Sequence, residues 1–193
     1  MKSILKEGNY EITIKNSKFI GIVIPIDSSN DVKKELLNLK DKYKNATHYC
    51  YAFKTINDKG FSDDGEPNKT AGIPILNVIE GEELVNVLIV VIRYFGGIKL
   101  GPGGLIRAYT KASKEVINKS NIIDLMKGFT LSITFPYSKE KEILYLLRNS
   151  IIISKEYDLE CTYVIKTTKE IFDSIKNIVT INYKEEKIIP KID

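Results

Sequence analysis

The sequence predicts an α+β protein of two domains, and three observations carry that prediction. Residues 1–127 mix strand-like and helix-like stretches, the patterning restarts near Lys127 and Gly128, and residues 128–193 then read β-α-β-β-α-β, the ferredoxin-like order. With 193 residues, 43% hydrophobic and 28% charged, the chain has the profile of ordinary globular protein. A chain of this length buries roughly 70% of its unfolded surface without disulfides or metal.

The elements follow in order. Residues 10–14 and 18–25 read as strands around Lys15-Asn16-Ser17, an opening hairpin. Over residues 28–43, Val32, Leu36, Leu39 and Tyr43 fall on one side, with Asp27, Ser28 and Ser29 as caps and lysines opposite. That is an amphipathic helix whose apolar stripe needs a sheet. Residues 47–55 alternate, Thr47, Tyr49, Tyr51 and Phe53 on one face and His48, Cys50 and Ala52 on the other, a small-residue face suited to close helix packing. Residues 57–69, polar and rich in Gly and Asp, are predicted as loop. A helix over 70–80 tolerates Pro74 in its first turn and ends at Gly81. The β-branched run over 84–94 is a strand buried on both faces, and a glycine stretch separates it from a helix over 105–118. After Lys119, residues 129–135 form a strand, 138–149 a helix, 151–157 and 159–166 an antiparallel pair, 168–179 a helix and 181–189 a last strand. Six elements in about 65 residues leave only short connections, so this unit closes its own small core.

Composition excludes several classes. Cys50 and Cys161 lie too far apart in sequence for C-x-x-C metal spacing and give no disulfide framework, which points to a reducing, cytoplasmic setting. No apolar run of signal-peptide or bilayer length is present, so neither secretion nor membrane contact is expected. The formal charge of +4 is uneven: residues 1–127 carry 19 Lys+Arg against 15 Asp+Glu, whereas 128–193 carry ten of each. Within residues 93–119, Arg93, Lys99, Arg107, Lys111, Lys114 and Lys119 face only Glu115. That local excess favours a polyanionic partner.

Four features are candidates for chemistry. Gly96, Gly97, Gly101, Gly103 and Gly104 sit between a strand and a helix, where unpaired N–H groups and a helix dipole receive anions. Neither dinucleotide nor P-loop spacing is present, and a tight strand-to-helix turn is the plain alternative. On the following helix, Arg107, Lys111 and Lys114 gather within about 60° of arc, opposite Leu105, Tyr109, Ala112 and Val116. Such a stripe is either a solvated face or a phosphate contact, and its continuity with Arg93 and Lys99 favours contact. Asp63, Asp64 and Glu66 crowd one loop, able to hold magnesium or act as acid and base, but read better as caps and ion-pair partners. His48 is the lone histidine, and Cys50 two residues along a strand is not close enough to form a thiolate pair.

Four segments in order carry a family resemblance: Ala46-Thr47-His48-Tyr49-Cys50-Tyr51-Ala52, Ser62-Asp63-Asp64-Gly65-Glu66-Pro67, Thr70-Ala71-Gly72-Ile73-Pro74-Ile75-Leu76, and the run from Arg93-Tyr94-Phe95-Gly96-Gly97 to Ile106-Arg107-Ala108-Tyr109. The chain resembles the YigZ branch of the IMPACT family, over nearly its whole length. The resemblance implies an N-terminal domain of the ribosomal protein S-five domain-two-like superfold, followed by a ferredoxin-like domain like the last domain of elongation factor G. Both superfolds recur in RNA-contacting proteins, and the first also hosts small-molecule kinases and nucleases, so fold alone does not fix function. Bacterial members have no agreed activity, and the kinase-regulating role of eukaryotic relatives belongs to proteins with a different accessory domain. A proline-dipeptidase activity does not fit, since one histidine and one short acidic cluster cannot supply a dinuclear metal site. The position before Thr70, usually Gly in the family motif, is Lys69 here.

The sequence therefore reads as a nucleic-acid- or ribosome-associated protein and translation regulator. Arg93, Gly96, Gly97, Lys99, Gly101, Gly103, Gly104, Arg107, Lys111 and Lys114 are its phosphate-binding residues, and RNA or the ribosome is its partner, with DNA as a variant. No cofactor or metal is expected, and the chain is a monomer or weak homo-oligomer. The alternative is a magnesium-dependent enzyme acting on a phosphorylated small molecule or nucleotide, with His48, Asp63, Asp64 and Glu66 as its catalytic or metal-holding candidates. The two readings differ geometrically: an enzyme needs these groups to converge on one cavity, a binding module needs a broad basic surface.

Overall fold

The computed structural model describes residues 1–191; Ile192 and Asp193, the last two of the predicted second domain, lie outside the described residues. The chain divides into two compact units, Met1–Ile123 and Asp124–Asp193. In the first unit the strands are β1 (Lys2–Ile4), β2 (Gly8–Ile14), β3 (Ser17–Pro25), β4 (His48–Lys54), β5 (Lys59–Ser62) and β6 (Val87–Tyr94). The helices are α1 (Asn30–Lys42), α2 (Gly72–Gly81) and α3 (Gly101–Asn118). Five strands form an antiparallel sheet in the order β2-β3-β6-β4-β5. Its two faces follow from alternation along each strand. Phe19, Val23, Cys50, Ala52, Ile89 and Val91 pack with buried residues of α2 and α3, whereas Ile20, Ile22, Leu88, Val90 and Ile92 pack with Val32 and Leu39 of α1. β6 is buried from Val87 to Arg93, as the unbroken apolar run requires of a central strand covered on both sides.

Several details differ from the sequence expectation for physical reasons. The hairpin between β2 and β3 turns on Lys15 and Asn16, both at positive φ, as a two-residue loop matched to strand twist demands. The cap of α1 is reversed: Ser29 makes no side-chain cap bond, and the Asp31 carboxylate instead accepts the N–H groups of Asp27 and Ser28 at 3.0 and 2.9 Å. The expected loop over 57–69 contains β5, which pairs with β4 from Tyr51 to Lys54. Its polar, Gly-containing sequence, Lys-Gly-Phe-Ser, carries no strand signal of its own, and the edge of the sheet supplies the pairing. β1 is likewise too short to be read from sequence; a parallel bridge from Lys2 to Leu84 places it.

The second unit holds all but the first two residues of β7 (Ile122–Phe135), then α4 (Glu140–Leu146), β8 (Ile151–Tyr157), β9 (Cys161–Thr167), α5 (Lys169–Ile175) and β10 (Thr180–Pro190). The strands run β10-β7-β9-β8, with all pairs antiparallel, the ferredoxin-like arrangement that the element order predicts. Leu131, Ile133, Phe135, Ile143, Tyr163, Ile165 and Ile175 form its core, with Phe135 edge-on to Tyr163 at 5.0 Å. The helix expected over 138–149 is α4 flanked by two short 3-10 turns. Gly128, read from sequence as a boundary, lies inside β7. A Cβ there would stand 2.3 Å from the Ile189 side chain and 2.6 Å from the Thr167 carbonyl, so glycine marks a close approach within the sheet. Among the described residues no helix is long and apolar enough to cross a membrane.

Because the second unit has a contiguous core of its own, residues 124–193 alone are expected to be soluble and to melt cooperatively. Circular dichroism on the fragment checks this; a featureless spectrum from a fragment whose parent chain is stable would disprove autonomy.

Candidate functional site

The site grows from the register of three strands. Arg93 on β6 lies opposite His48 on β4 and opposite Phe19 on β3, so all three side chains leave the sheet on the face that carries Cys50 and α3. Arg93 is only 5% exposed. Its Nη1 donates to Glu66 Oε1 at 2.6 Å, and its guanidinium lies 5.4 Å from the Phe19 ring centroid and 5.3 Å from that of Phe95. The same Glu66 oxygen accepts the Tyr109 hydroxyl at 2.8 Å, and Tyr109 stands edge-on to Phe19 at 5.4 Å. Cys50 Sγ reaches the Tyr109 hydroxyl at 3.3 Å and the Asp63 carbonyl at 3.0 Å. Burial, above all, pushes both the Cys50 thiol and the Tyr109 phenol far up, so both remain protonated and Cys50 is no thiolate nucleophile.

The acidic loop is held by its own carboxylates. Asp63 accepts the N–H groups of Ala71 and Gly72 at 2.9 and 2.8 Å on one oxygen and that of Lys69 at 2.8 Å on the other, capping α2 from outside the helix. Asp64 accepts the Tyr49 N–H at 2.6 Å. Asp63 thus caps α2, Asp64 holds the β4 backbone, and Glu66 pairs with Arg93 of β6. Lys69 sits at φ 64°, a left-handed conformation that glycine adopts without strain.

His48 fixes the mouth of this network. Its Nδ1 lies 2.7 Å from the Asp64 carbonyl, which can only accept, so Nδ1 carries the proton. Nε2 lies 3.9 Å from Glu66 Oε1.

The glycine stretch divides into two functions. Gly96 is not a phosphate ligand: its N–H donates to Ser17 Oγ at 3.2 Å, and a Cβ would overlap the Asn16 carbonyl at 2.0 Å. It lets the β3 hairpin pass close by. Gly101, Gly103 and Gly104 belong to the first turn of α3, which starts four residues before the sequence expectation because Pro at the second position and permissive glycines still accept helical backbone. Leu100, the residue before this helix, makes no side-chain cap bond. Arg107, Lys111 and Lys114 are exposed along α3, as the periodicity predicts, and no described carboxylate pairs with them or with Lys99. Arg93 does not extend this ridge, because Glu66 and two aromatic rings sequester it below the surface.

These pieces meet at a cavity of about 410 Å³. His48, Glu66, Arg93, Lys99 and Gly101 supply its polar wall, and Phe95, Leu100, Leu105, Pro67 and Pro102 its apolar wall. Its volume lies within the ~300–1,000 Å³ of small-molecule sites. Among the described residues, no group of three or more His, Cys, Asp and Glu is placed to hold a metal.

The Impact N-terminal domain matches residues 15–117, which include every residue of the cavity wall. This chain belongs to the IMPACT family. The family member YvyE of Bacillus subtilis is 34% identical over 157 residues, 80% of this chain and 72% of that one. YigZ of Escherichia coli is 39% identical over 101 residues, half of each chain. A solved hypothetical protein shares the fold, with TM-score 0.65 at 24% identity over 93% of this chain and 95% of that one. Within this IMPACT domain, local sequence patterning places Tyr109 in the core and gives Phe19 and Phe95 no functional signal. A tyrosine on an apolar helix stripe is ordinary core, and only the Glu66 contact gives its hydroxyl a task.

Two outcomes follow. Glu66→Ala leaves Arg93 buried without its counter-charge and is expected to cost about 3 kcal/mol or more, read from urea unfolding. Lys69→Gly relieves left-handed strain and is expected to raise stability by about 0.5–1 kcal/mol, read as a higher melting temperature.

Proposed function

We propose that this chain binds RNA, as part of the ribosome or of the translation apparatus, and regulates translation through that binding. The observation that carries the reading is the cationic ridge: Lys99, Arg107, Lys111 and Lys114 are exposed, lack carboxylate partners among the described residues, and run from the cavity rim along α3. Unpaired surface cations in a row suit the regular spacing of phosphates, and the exposed Phe95, Ile98 and Ile106 nearby offer apolar contact. Gly97, exposed at φ 84°, and the first turn of α3, with Gly101, Gly103 and Gly104 and no cap bond from Leu100, bring backbone N–H groups to the same ridge. DNA would meet the same charges, and RNA is chosen for the translation role.

The enzyme alternative keeps one supporting observation, the convergence of His48, Glu66 and the start of α3 on one cavity. Its magnesium component is not favoured, because Asp63 and Asp64 are engaged with backbone N–H groups and Glu66 with Arg93.

Changing Arg107, Lys111 and Lys114 together to Gln is expected to weaken binding of single-stranded RNA while leaving the melting temperature nearly unchanged, since all three are exposed. The slope of log affinity against log salt should fall by roughly 0.7 per lost contact, about two units in all. Wild-type affinity with an unchanged slope would reduce the ridge to a solvated helix face.

A further inference from the structure

We infer that the cavity beside the ridge receives a single nucleotide unit, its base on Phe95, its phosphate at Lys99 and the start of α3, and a hydroxyl or amino group between His48 and Glu66. Each part of that ligand is drawn from one part of the wall. Phe95 is 46% exposed although it is a large aromatic, and it borders a cavity while Arg93 lies 5.3 Å from its ring centroid. A ring held in place by a buried cation and still partly open is a stacking platform.

Charge selects the phosphate. Arg93 and Glu66 neutralise one another in the wall, which leaves Lys99, without a carboxylate partner among the described residues, and the positive end of α3 at Gly101. Arg93, a wall residue only 5% exposed, has a buried Nε that finds no hydrogen-bond acceptor among the described residues. An acceptor-rich ligand suits such a wall.

The third group comes from His48 and Glu66. With Nδ1–H given to the Asp64 carbonyl, Nε2 is the ring nitrogen left without a hydrogen-bond partner among the described residues, and it lies 3.9 Å from Glu66 Oε1, which also accepts from Arg93 and Tyr109. Nothing bridges Nε2 and the carboxylate at that distance, and a ligand hydroxyl or exocyclic amine between them would hydrogen-bond with both. Aromatic ring, phosphate and polar hydrogen together describe a nucleotide rather than inorganic phosphate or a sugar phosphate.

Two sources offer this chemistry, a free mononucleotide and an unstacked nucleotide of an RNA strand. Only the second rests on the proposed RNA binding. Calorimetric titration of the full chain with adenosine 5′-monophosphate, ribose 5-phosphate and a short single-stranded oligoadenylate separates them, run on the wild type, on Phe95→Ala and on the triple Gln variant of Arg107, Lys111 and Lys114. Base stacking of ~1–3 kcal/mol corresponds to a loss of about tenfold or more on Phe95→Ala. If the mononucleotide binds, the expected result is one site per chain, that loss on Phe95→Ala, at least tenfold weaker ribose 5-phosphate binding, and no effect of the triple variant. If only the oligonucleotide binds and Phe95→Ala weakens it to the same degree, the strand is the source. Phe95→Ala binding both ligands as wild type does, or ribose 5-phosphate binding as tightly as the mononucleotide, overturns the inference. A failed ridge appears separately, as a triple variant that leaves oligonucleotide affinity and salt slope untouched. Phe95 is half-exposed, so its truncation should leave the melting temperature within a few degrees, and this control accompanies the titrations.

Discussion

The buried ion pair between Arg93 and Glu66 is the constraint on which the functional end of the first unit depends. Arg93 comes from the central strand of the sheet and Glu66 from an irregular loop, and a guanidinium 5% exposed requires a counter-charge whose position is fixed to fractions of an ångström. Everything else in the loop serves that placement. Asp63 ties the loop to the start of α2, Asp64 ties it to the backbone of β4, and the Asp64 carbonyl accepts a hydrogen bond from His48 Nδ1–H. Tyr109 brings α3 into the same network through its hydroxyl, so sheet, loop and helix share one hydrogen-bonded centre.

The cavity is a consequence of that centre rather than an independent feature. Arg93 is flanked by Phe19 on the buried side and Phe95 on the open side, and the chain then passes Gly96, which must be glycine to clear Asn16, before α3 begins. The distance between the β6 end and the first turn of α3 leaves the space that Lys99, Leu100 and Gly101 line. A rigid wall of this kind is what a binding site needs, because its groups lose little freedom when a ligand arrives. The ridge on α3 differs in kind. Its cations are exposed and individually contribute little to stability, so their arrangement costs the fold almost nothing and is open to selection for binding.

Much of this was legible in the sequence, and the boundary of legibility follows the range of the interactions. Periodicity placed α1, β4, β6 and α3, and the β-α-β-β-α-β order of the second unit, because alternation and 3.6-residue spacing record which face of a local element is buried. The exposed faces of Arg107, Lys111 and Lys114 were read in the same way. What failed was decided by partners distant in sequence. β5 is a strand only because the β4 edge pairs with it, Gly128 is an in-strand residue only because Ile189 and Thr167 crowd it, and Gly96 looked like an anion ligand only because its neighbour Asn16, eighty residues earlier in the chain, is invisible in a local window.

Residue types and spacing by themselves thus determined the two-unit α+β organisation, the buried faces and the basic stripe, all properties of a residue and its neighbours within a few positions. The tertiary structure alone decided which charges are free. Arg93 and Lys111 are both cations in the same basic segment, yet one is buried against Glu66 and the other is exposed without a described carboxylate partner. Likewise the structure alone turned His48, Glu66, Phe95 and Gly101 into one cavity wall. The physical reason is that desolvation and pairing depend on distances across the fold, whereas sequence patterning records only the direction in which each side chain leaves its own element.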